Sequence, residues 1–276
     1  MCISNCYKIK GCTMENLVEK IKSDEIVLFI GIGVFKGLNN SQNQPLPYDS
    51  DSFILSINDG KPMPQRLMYE YSRACMNIEQ KKGRAYLENL IENIYKNPYP
   101  TPQIYDLVSQ IKPKYVIDTN IDDSLQKAYA DTPHFLVLGT SRVIGYDDRF
   151  EVYEYDGTSY KSTTKDSLDI SKPILFKPMG SLTPKKSLIV SDADFVDWLT
   201  EAMGGYAIPP YLKEYRKNKS YLFVGVDFNK DTFRMVANEI ILGGNGGYVV
   251  YTKDELSKKE QKFFENQKLT HIKELP

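Results

Sequence analysis

Short apolar runs that end in glycine or polar residues predict the strands of this chain. The clearest is residues 25–33, Glu-Ile-Val-Leu-Phe-Ile-Gly-Ile-Gly, in which every position from Ile26 to Ile30 is apolar. An uninterrupted apolar run of this length is typical of a strand that is buried on both faces of a parallel sheet. Comparable runs, and an alternating pattern around Asp156-Gly157 that is typical of a hairpin, predict further strands at residues 114–118, 135–138, 150–161, 173–177, 221–224, 248–251 and 270–273.

Apolar positions that repeat every three or four residues predict the helices. In the segment 84–95, for example, Leu87, Leu90 and Ile91 form one apolar stripe. The same pattern predicts helices at residues 14–22, 65–78, 84–95, 103–110, 122–129, 191–203, 231–242 and 254–266. Residues 36–62 are rich in Asn, Gln, Pro, Gly and Ser, which predicts a long irregular excursion.

The order of these elements predicts the fold class. Strands and helices alternate after the first strand, and right-handed crossovers make such a chain an α/β protein. We expect a Rossmann-like, mostly parallel sheet with helices on both faces and a smaller inserted module of helices and loops at about residues 36–112. Residues 1–13 are predicted to be a loose N-terminal extension, and residues 14–276 a single domain with a hairpin at about residues 150–161.

Composition restricts the function more than the fold. The 276 residues carry 35 basic and 36 acidic side chains, so nucleic acid is not an expected partner. The apolar runs are far shorter than the ~20 residues of a membrane helix, and the N-terminus shows no secretory pattern, so we expect a cytoplasmic protein without membrane contact. Cys2, Cys6, Cys12 and Cys75 form no C-x-x-C pair, so no metal site is expected, and the role of the first three stays open.

Candidate chemistry is expected at the carboxyl ends of the strands, where open parallel sheets bind ligands. Gly31-Ile32-Gly33-Val34 follows the first strand directly. Glycines at this place let a phosphate approach backbone N–H groups, although a tight turn would use the same residues. By contrast, the glycine-rich loop at residues 243–247 precedes a strand, so we expect it at the opposite edge of the sheet.

Three further segments follow predicted strands. In residues 118–123, Asp122 could cap the next helix, whereas Asn120 has no such structural role and could hold ribose hydroxyls or position a water. Residues 177–182 read Lys-Pro-Met-Gly-Ser-Leu. In residues 225–231, Asp227 or Asn229 could reach a ribose, while Asp231 is placed to cap a helix.

Together these four segments resemble the motifs of the sirtuin-like (silent information regulator-like) family. Residues 31–34 are similar to its G-A-G-[IV]-S entry, residues 119–122 to its T-(Q)-N-x-D motif, residues 177–182 to K-x-H-G-S-L, and residues 225–227 to a late G-x-S/D turn. The family has a Rossmann-like sheet with a smaller inserted module. Its members bind NAD and cleave the nicotinamide–ribose bond, some to modify acyl-lysine and others, in bacterial defence, to hydrolyse NAD.

The resemblance implies roles for individual residues. Asn120 would position the ribose or a water, and Asp122 would support it, which makes these two the catalytic candidates. The implied ligand is NAD or ADP-ribose, and the implied contacts to it are Gly31, Ile32, Gly33, Val34, Thr119, Asn120, Asp122, Gly180, Ser181, Gly225 and Asp227.

Several positions depart from the family pattern. Met179 stands at the position of the catalytic histidine, and a thioether cannot accept a proton from a hydroxyl or a water. Phe35 replaces the serine or threonine after the glycine loop, and no C-x-x-C pair is present to bind zinc. His134 and His271, the two histidines of the chain, both precede predicted strands and are therefore expected at the edge opposite the site.

Three hypotheses for the function follow. The first is a sensor or pseudoenzyme that binds NAD or ADP-ribose with little or no turnover. The second is an active NAD glycohydrolase, in which Asn120 and Asp122 suffice because nicotinamide is a good leaving group. The third is a structural protein on a degenerate nucleotide fold, which binds a protein partner or forms a homo-oligomer. Space filled by Ile32 and Phe35 where adenine should lie would favour this third hypothesis.

Overall fold

Nine strands form one continuous sheet within residues 14–145, 147–250 and 255–273, the parts of the chain that the computed structural model describes. The predicted extension at residues 1–13 lies outside these parts. Two more strands, β7 and β8, form a short separate ribbon. In chain order the strands are β1 (Ile26–Ile30), β2 (Tyr115–Asp118), β3 (His134–Gly139), β4 (Phe150–Tyr155), β5 (Tyr160–Thr163), β6 (Ile174–Lys177), β7 (Gly180–Ser181), β8 (Ser187–Leu188), β9 (Ser220–Val224), β10 (Gly247–Val250) and β11 (Leu269–Ile272).

The sheet is parallel except at one edge. Its strand order is β11-β10-β9-β1-β2-β6-β3-β4-β5, and only β4, the first strand of the predicted hairpin, runs antiparallel to the others. β1 lies near the middle, where its five residues are all buried and pair with β2 on one side and β9 on the other. A continuous apolar run therefore marks a strand covered on both faces, as its pattern predicts.

Eleven helices surround the sheet in the described residues, and none has the length and apolar character needed to span a membrane. They are α1 (Met14–Lys22), α2 (Ser50–Ser56), α3 (Gln65–Met68), α4 (Tyr71–Lys82), α5 (Arg84–Tyr95), α6 (Gln103–Ile111), α7 (Ser124–Ala128), α8 (Asp192–Gly204), α9 (Pro210–Tyr215), α10 (Asp231–Ile240) and α11 (Lys258–Asn266).

Helices cover both faces of the sheet. On one face, α1, α6 and α7 bury side chains such as Leu17, Ile104 and Leu125 against the strands. On the other, α8, α10 and α11 bury Trp198, Val236 and others against the same strands. This arrangement confirms the predicted α/β class with a Rossmann-like, mostly parallel sheet.

Two predictions about the region before β2 are wrong. The segment 65–78 is not one helix, because the backbone of Glu70 is extended (φ −154°, ψ 138°) and separates α3 from α4. The carboxylate of Glu70 instead accepts a hydrogen bond from the Thr232 N–H at 3.3 Å. The region 36–62 is not wholly irregular, because the carboxylate of Asp49 accepts the Ser52 N–H at 2.8 Å and begins α2.

The helices α2 to α5 pack together as a module beside the sheet. Phe53, Cys75, Leu87 and Ile91 form most of its buried core, together with residues that follow the strands. The next helix, α6, packs on the sheet itself. The predicted module limits of 36–112 stay a prediction.

A buried carboxylate ties this module to the rest of the molecule. Asp194, in the first turn of α8, accepts hydrogen bonds from Arg84 Nη1 of the module at 2.8 Å and from Arg142 Nε at 2.7 Å. It also accepts the Ser191 N–H at 2.9 Å as part of the capping box that begins α8. Burial raises the pKa of Asp194, but the charge of Arg84 and the hydrogen bond from the Ser191 N–H lower it by more. The pKa of Asp194 is therefore below its usual value.

We expect Asp194→Ala to lower the free energy of unfolding by about 1.5–3 kcal/mol, because Arg84 and Arg142 lose their shared buried acceptor but still pair with Glu79. Urea unfolding measures the change. Glu92→Ala is the control, since the Glu92 side chain is 54% exposed and, within the described parts of the chain, its one ion pair is with Lys186 at 3.1 Å. It should cost less than about 1 kcal/mol. Equal losses in the two variants would show that Asp194 does not hold the module.

Candidate functional site

A cleft lies where the strand order reverses. β1 and β9 are neighbours in the sheet. From β1 the chain continues to β2 on one side, and from β9 it continues to β10 on the other side, so the two connections lead in opposite directions. This reversal is the usual ligand site of an open parallel sheet. Strand ends and the α2–α5 module both line the cleft, through Gly31, Ile32, Asn120, Met179, Gly225 and Asp227 on one side and Asp49, Phe53, Tyr71 and Tyr95 on the other.

The glycines of this site bring the two loops into contact. The Gly31 N–H donates to the Val224 carbonyl at 2.9 Å, and the Gly33 N–H donates to the Gly225 carbonyl at 2.7 Å. A Cβ atom on Gly31 would lie 2.7 Å from the Gly225 oxygen, and Gly225 itself has φ +71°. Glycine is therefore required here by the packing of backbone against backbone. Since both N–H groups have carbonyl partners, their contact with a phosphate stays a prediction.

Asn120 sits in a buried polar network at the end of β2. Its backbone N–H donates to Asp118 Oδ1 at 2.9 Å, and its Nδ2 donates to the Tyr105 hydroxyl at 2.9 Å. Lys177 Nζ donates to the Asn120 carbonyl and to Asp118 Oδ2, the latter at 3.1 Å. The side chains of Asp118 and Lys177 are both fully buried. Burial raises the pKa of Asp118, and the ammonium of Lys177 opposes that rise.

Asp122, the second catalytic candidate, lies behind the cleft wall. Its Oδ2 accepts the Tyr99 hydroxyl at 2.8 Å and the Ser124 N–H at 3.1 Å. The second contact satisfies the first N–H of α7 from one residue before the N-cap position, which Asp123 occupies. Asp122 is buried and is not among the residues that line the cleft. A supporting role toward Asn120 stays a prediction.

The remaining predicted contacts fall into two groups. Thr119 lines the cleft, and its hydroxyl donates to the Ile30 carbonyl at 3.0 Å. Asp227 also lines the cleft, and its Oδ1 accepts the Asn229 N–H at 2.9 Å. Gly180 and Ser181 form β7 and are buried, with the Ser181 hydroxyl accepting Gln126 Nε2 at 2.9 Å.

Apolar side chains fill much of the cleft. Met179 is buried and lines it, at the place where the resemblance implies a histidine. Ile32 lines it as well, and Phe35 is fully buried with its ring centroid 6.1 Å from that of Tyr95. The cleft has a volume of about 660 Å³ when its open mouth is included, but the space inside it that a water molecule can occupy is only about 40 Å³. Side chains must therefore move apart before a dinucleotide can enter.

Sequence reasoning missed most of the residues that surround Asn120. Tyr95, Tyr99 and Tyr105 lie in or beside the helices α5 and α6, more than ten residues before Asn120. Nothing in their local pattern separates them from ordinary packing tyrosines, because the fold alone brings them to the end of β2. The fully buried Lys177 ends β6, and an ammonium inside an apolar strand pattern is the one signal that could have indicated it.

Neither histidine reaches the cleft. The prediction that both precede strands is wrong, since His134 begins β3 and His271 lies one residue from the carboxyl end of β11. His134 nevertheless lies at the edge of the sheet opposite Lys177, as expected. Its Nδ1 lies 2.7 Å from the Thr132 carbonyl and its Nε2 lies 2.7 Å from the Tyr160 hydroxyl. Burial lowers the pKa of His134 to about 4.

The last predictions concern Asp231 and the glycine loop at residues 243–247. The capping role predicted for Asp231 is wrong, because its carboxylate accepts the Tyr69 hydroxyl at 3.1 Å and pairs with Lys259 and Arg234. Lys230 is the residue that precedes α10. The loop at residues 243–247 leads into β10, which places it at the opposite edge as expected. Among the described residues, no group of three or more His, Cys, Asp or Glu side chains is arranged to hold a metal ion.

Comparison with known families agrees with this geometry. The family described as the SIR2-like domain matches residues 114–272, which is more than half of the chain. The chain therefore belongs to the SIR2-like domain family. SIR2-like domains bind NAD, which makes a nucleotide the expected type of ligand. No curated protein matches the chain in a sequence search.

We expect Gly31→Ala to lower the free energy of unfolding by about 1–3 kcal/mol, because its Cβ would lie 2.9 Å from Val226 Cα. Thermal unfolding measures the loss. Gly204→Ala is the matched control, since a Cβ there meets its nearest neighbour, a Tyr206 ring carbon, at 3.7 Å. An alanine in that helix should be neutral or slightly stabilising. If the two variants behave alike, the loop contact is not as tight as described.

We expect the free energy of unfolding to decrease as the pH is lowered from 7 to 4, because the buried imidazole of His134 stays neutral in the folded state over this range. Its pKa is about 4 in the folded state against roughly 6.5 in the unfolded state. Between these values only the unfolded state binds the proton, so up to roughly 3 kcal/mol is lost on going from pH 7 to pH 4. Urea unfolding at a series of pH values tests this. His134→Gln should flatten the pH dependence and His271→Gln should not. The same slope in all three proteins would contradict it.

Proposed function

We propose that this protein binds NAD or ADP-ribose in the cleft with little or no turnover. The observation that carries the proposal is Asn120 Oδ1, a buried oxygen of a cleft-lining residue that has no hydrogen-bond partner among the described residues. Seven buried side-chain atoms lack a partner among the described residues, and three of these lie between residues 120 and 126. They are Asn120 Oδ1, Asp122 Oδ1 and Gln126 Oε1, all of them acceptors.

Unpaired buried acceptors favour a ligand that donates hydrogen bonds. Leaving such an atom unpaired costs roughly 1–3 kcal/mol, so native proteins rarely retain one without a reason. Ribose hydroxyls and the carboxamide N–H₂ group of nicotinamide are donors of the required kind. Asn120 both lines the cleft and carries one of these oxygens. The residues present therefore fit the ribose end of such a nucleotide.

Slow turnover is supported by the side chains in the cleft. The thioether of Met179 cannot act as a general base. The carboxylates that line the cleft, Asp49 and Asp227, each accept a backbone N–H, from Ser52 and Asn229. Losing a general base typically slows a reaction by ~10²–10⁴-fold.

A partner-binding role is the second candidate, and one observation favours it. Ile32 and Phe35 occupy positions where the resemblance implies smaller or polar residues, and little of the cleft is open to water. A chain that had lost its nucleotide would tolerate such filling. The glycohydrolase hypothesis differs from both candidates because it requires nicotinamide release.

We expect NAD to raise the midpoint of thermal unfolding by several degrees at a concentration ~100 times its dissociation constant, where ligand binding adds about 2.7 kcal/mol. Chromatography of the same samples should show no nicotinamide release above the buffer rate. Asn120→Ala should reduce the stabilisation by NAD, because it removes the acceptor in the cleft.

The outcomes separate the three candidates. Nicotinamide release that disappears in Asn120→Ala would identify a glycohydrolase and contradict slow turnover. Neither release nor stabilisation, in a wild-type protein that unfolds cooperatively, would leave the partner-binding role.

A further inference from the structure

Three residues that do not line the cleft form hydrogen bonds to the side chain and backbone of Asn120. The Tyr105 hydroxyl accepts a hydrogen bond from the carboxamide Nδ2, while Asp118 Oδ1 accepts the backbone N–H of Asn120 and Lys177 Nζ donates to its backbone carbonyl. We infer that Tyr105, Asp118 and Lys177 are positioning residues, which turn Asn120 so that Oδ1 and not Nδ2 meets the ligand. The inference deepens the proposed function and rests on it for the identity of the ligand.

The direction of each hydrogen bond follows from the chemistry of the groups. An ammonium can only donate, so Asp118 Oδ2 accepts from Lys177 at 3.1 Å. The Tyr105 hydroxyl lies 3.1 Å from the same carboxylate oxygen and donates to it. Burial and the carboxylate of Asp118 raise the pKa of Tyr105 well above its usual value, so its single proton stays in place.

The orientation of the carboxamide is then determined. Since the Tyr105 proton is donated to Asp118, the phenol oxygen can only accept from Asn120, across 2.9 Å. A carboxamide turned by 180° would place its oxygen against that phenol oxygen, and two acceptors repel each other. The chain Lys177–Asp118–Tyr105 therefore sets Asn120 Nδ2 inward and leaves Oδ1 unpaired.

This orientation selects the chemical class of the ligand group. An unpaired Oδ1 favours a hydroxyl or an amide N–H and disfavours a phosphate oxygen, which is itself an acceptor. Because three contacts already fix Asn120, a ligand does not have to order it on binding, and affinity increases accordingly. The group that meets Asn120 is thus a sugar hydroxyl or a carboxamide.

Tyr105→Phe tests the inference without breaking the buried ion pair, which would destabilise the fold. Tyr129→Phe is the matched control, because Tyr129 is equally buried on the same face of the sheet and donates its hydroxyl proton to the Pro113 carbonyl at 2.6 Å. Each variant removes a buried phenol hydroxyl: Tyr129→Phe loses the hydrogen bond to Pro113, and Tyr105→Phe loses those with Asp118 and Asn120. Only the first should affect Asn120.

The readout is a double-mutant cycle on the dissociation constant of NAD. Tyr105→Phe should weaken NAD binding by about 3- to 10-fold in the wild-type background. It should have no further effect in an Asn120→Ala background, and Tyr129→Phe should leave the constant unchanged. Equal weakening by Tyr105→Phe in both backgrounds would indicate a merely structural role and overturn the inference.

A second measurement needs no ligand. The side-chain N–H₂ signals of Asn120, assigned by their loss in Asn120→Ala, should shift and exchange faster with solvent in Tyr105→Phe but not in Tyr129→Phe. Unchanged signals in Tyr105→Phe would overturn the inference even if NAD binds. If the wild-type protein does not bind NAD, the proposed function fails, and these signals still decide whether Tyr105 orients Asn120.

Discussion

The buried ion pair between Asp118 and Lys177 is the interaction on which the rest of the site depends. It joins the carboxyl ends of two neighbouring strands, β2 and β6, and both side chains are withdrawn from solvent. Burying two charges is costly unless their remaining hydrogen bonds are also satisfied. Here Tyr105 and the backbone of Asn120 supply those hydrogen bonds. The buried ion pair therefore fixes the positions of residues from β2, β6 and α6 and of Asn120, which follows β2.

The cleft around this network has two walls of different origin. One wall consists of strand ends, held together where glycines let the loops after β1 and β9 touch. The other is the α2–α5 module, which reaches the sheet domain through Asp194 and its two arginines. In the first wall backbone packs directly on backbone, whereas the second is joined to the sheet by side chains. Any widening of the cleft is therefore expected to come from movement of the module.

The sequence allowed the sheet to be predicted more fully than the site. A buried strand such as β1 is a short, uninterrupted apolar run, which is easy to recognise in the sequence. The end of each predicted strand then indicates which polar segment lies at the ligand-binding edge of the sheet. The break at Glu70 escaped prediction because an extended residue between two helical stretches leaves the apolar repeat intact. Asn120 and Met179 were predicted at the cleft from their places after strands. Tyr105 was not, because its role depends on a hydrogen bond to residues that the fold brings beside it.

The position of β1 also bears on which part of the chain can fold alone. The stretch that matches the SIR2-like family begins at residue 114, after β1, α1 and the module. Yet β1 pairs with β2 on one side and with β9 on the other, so it is the strand that joins the two halves of the sheet. A fragment limited to residues 114–272 would leave β2 and β9 with unpaired inner edges and an open seam. The family match therefore marks a region of shared sequence, while the unit of folding includes residues that lie before it.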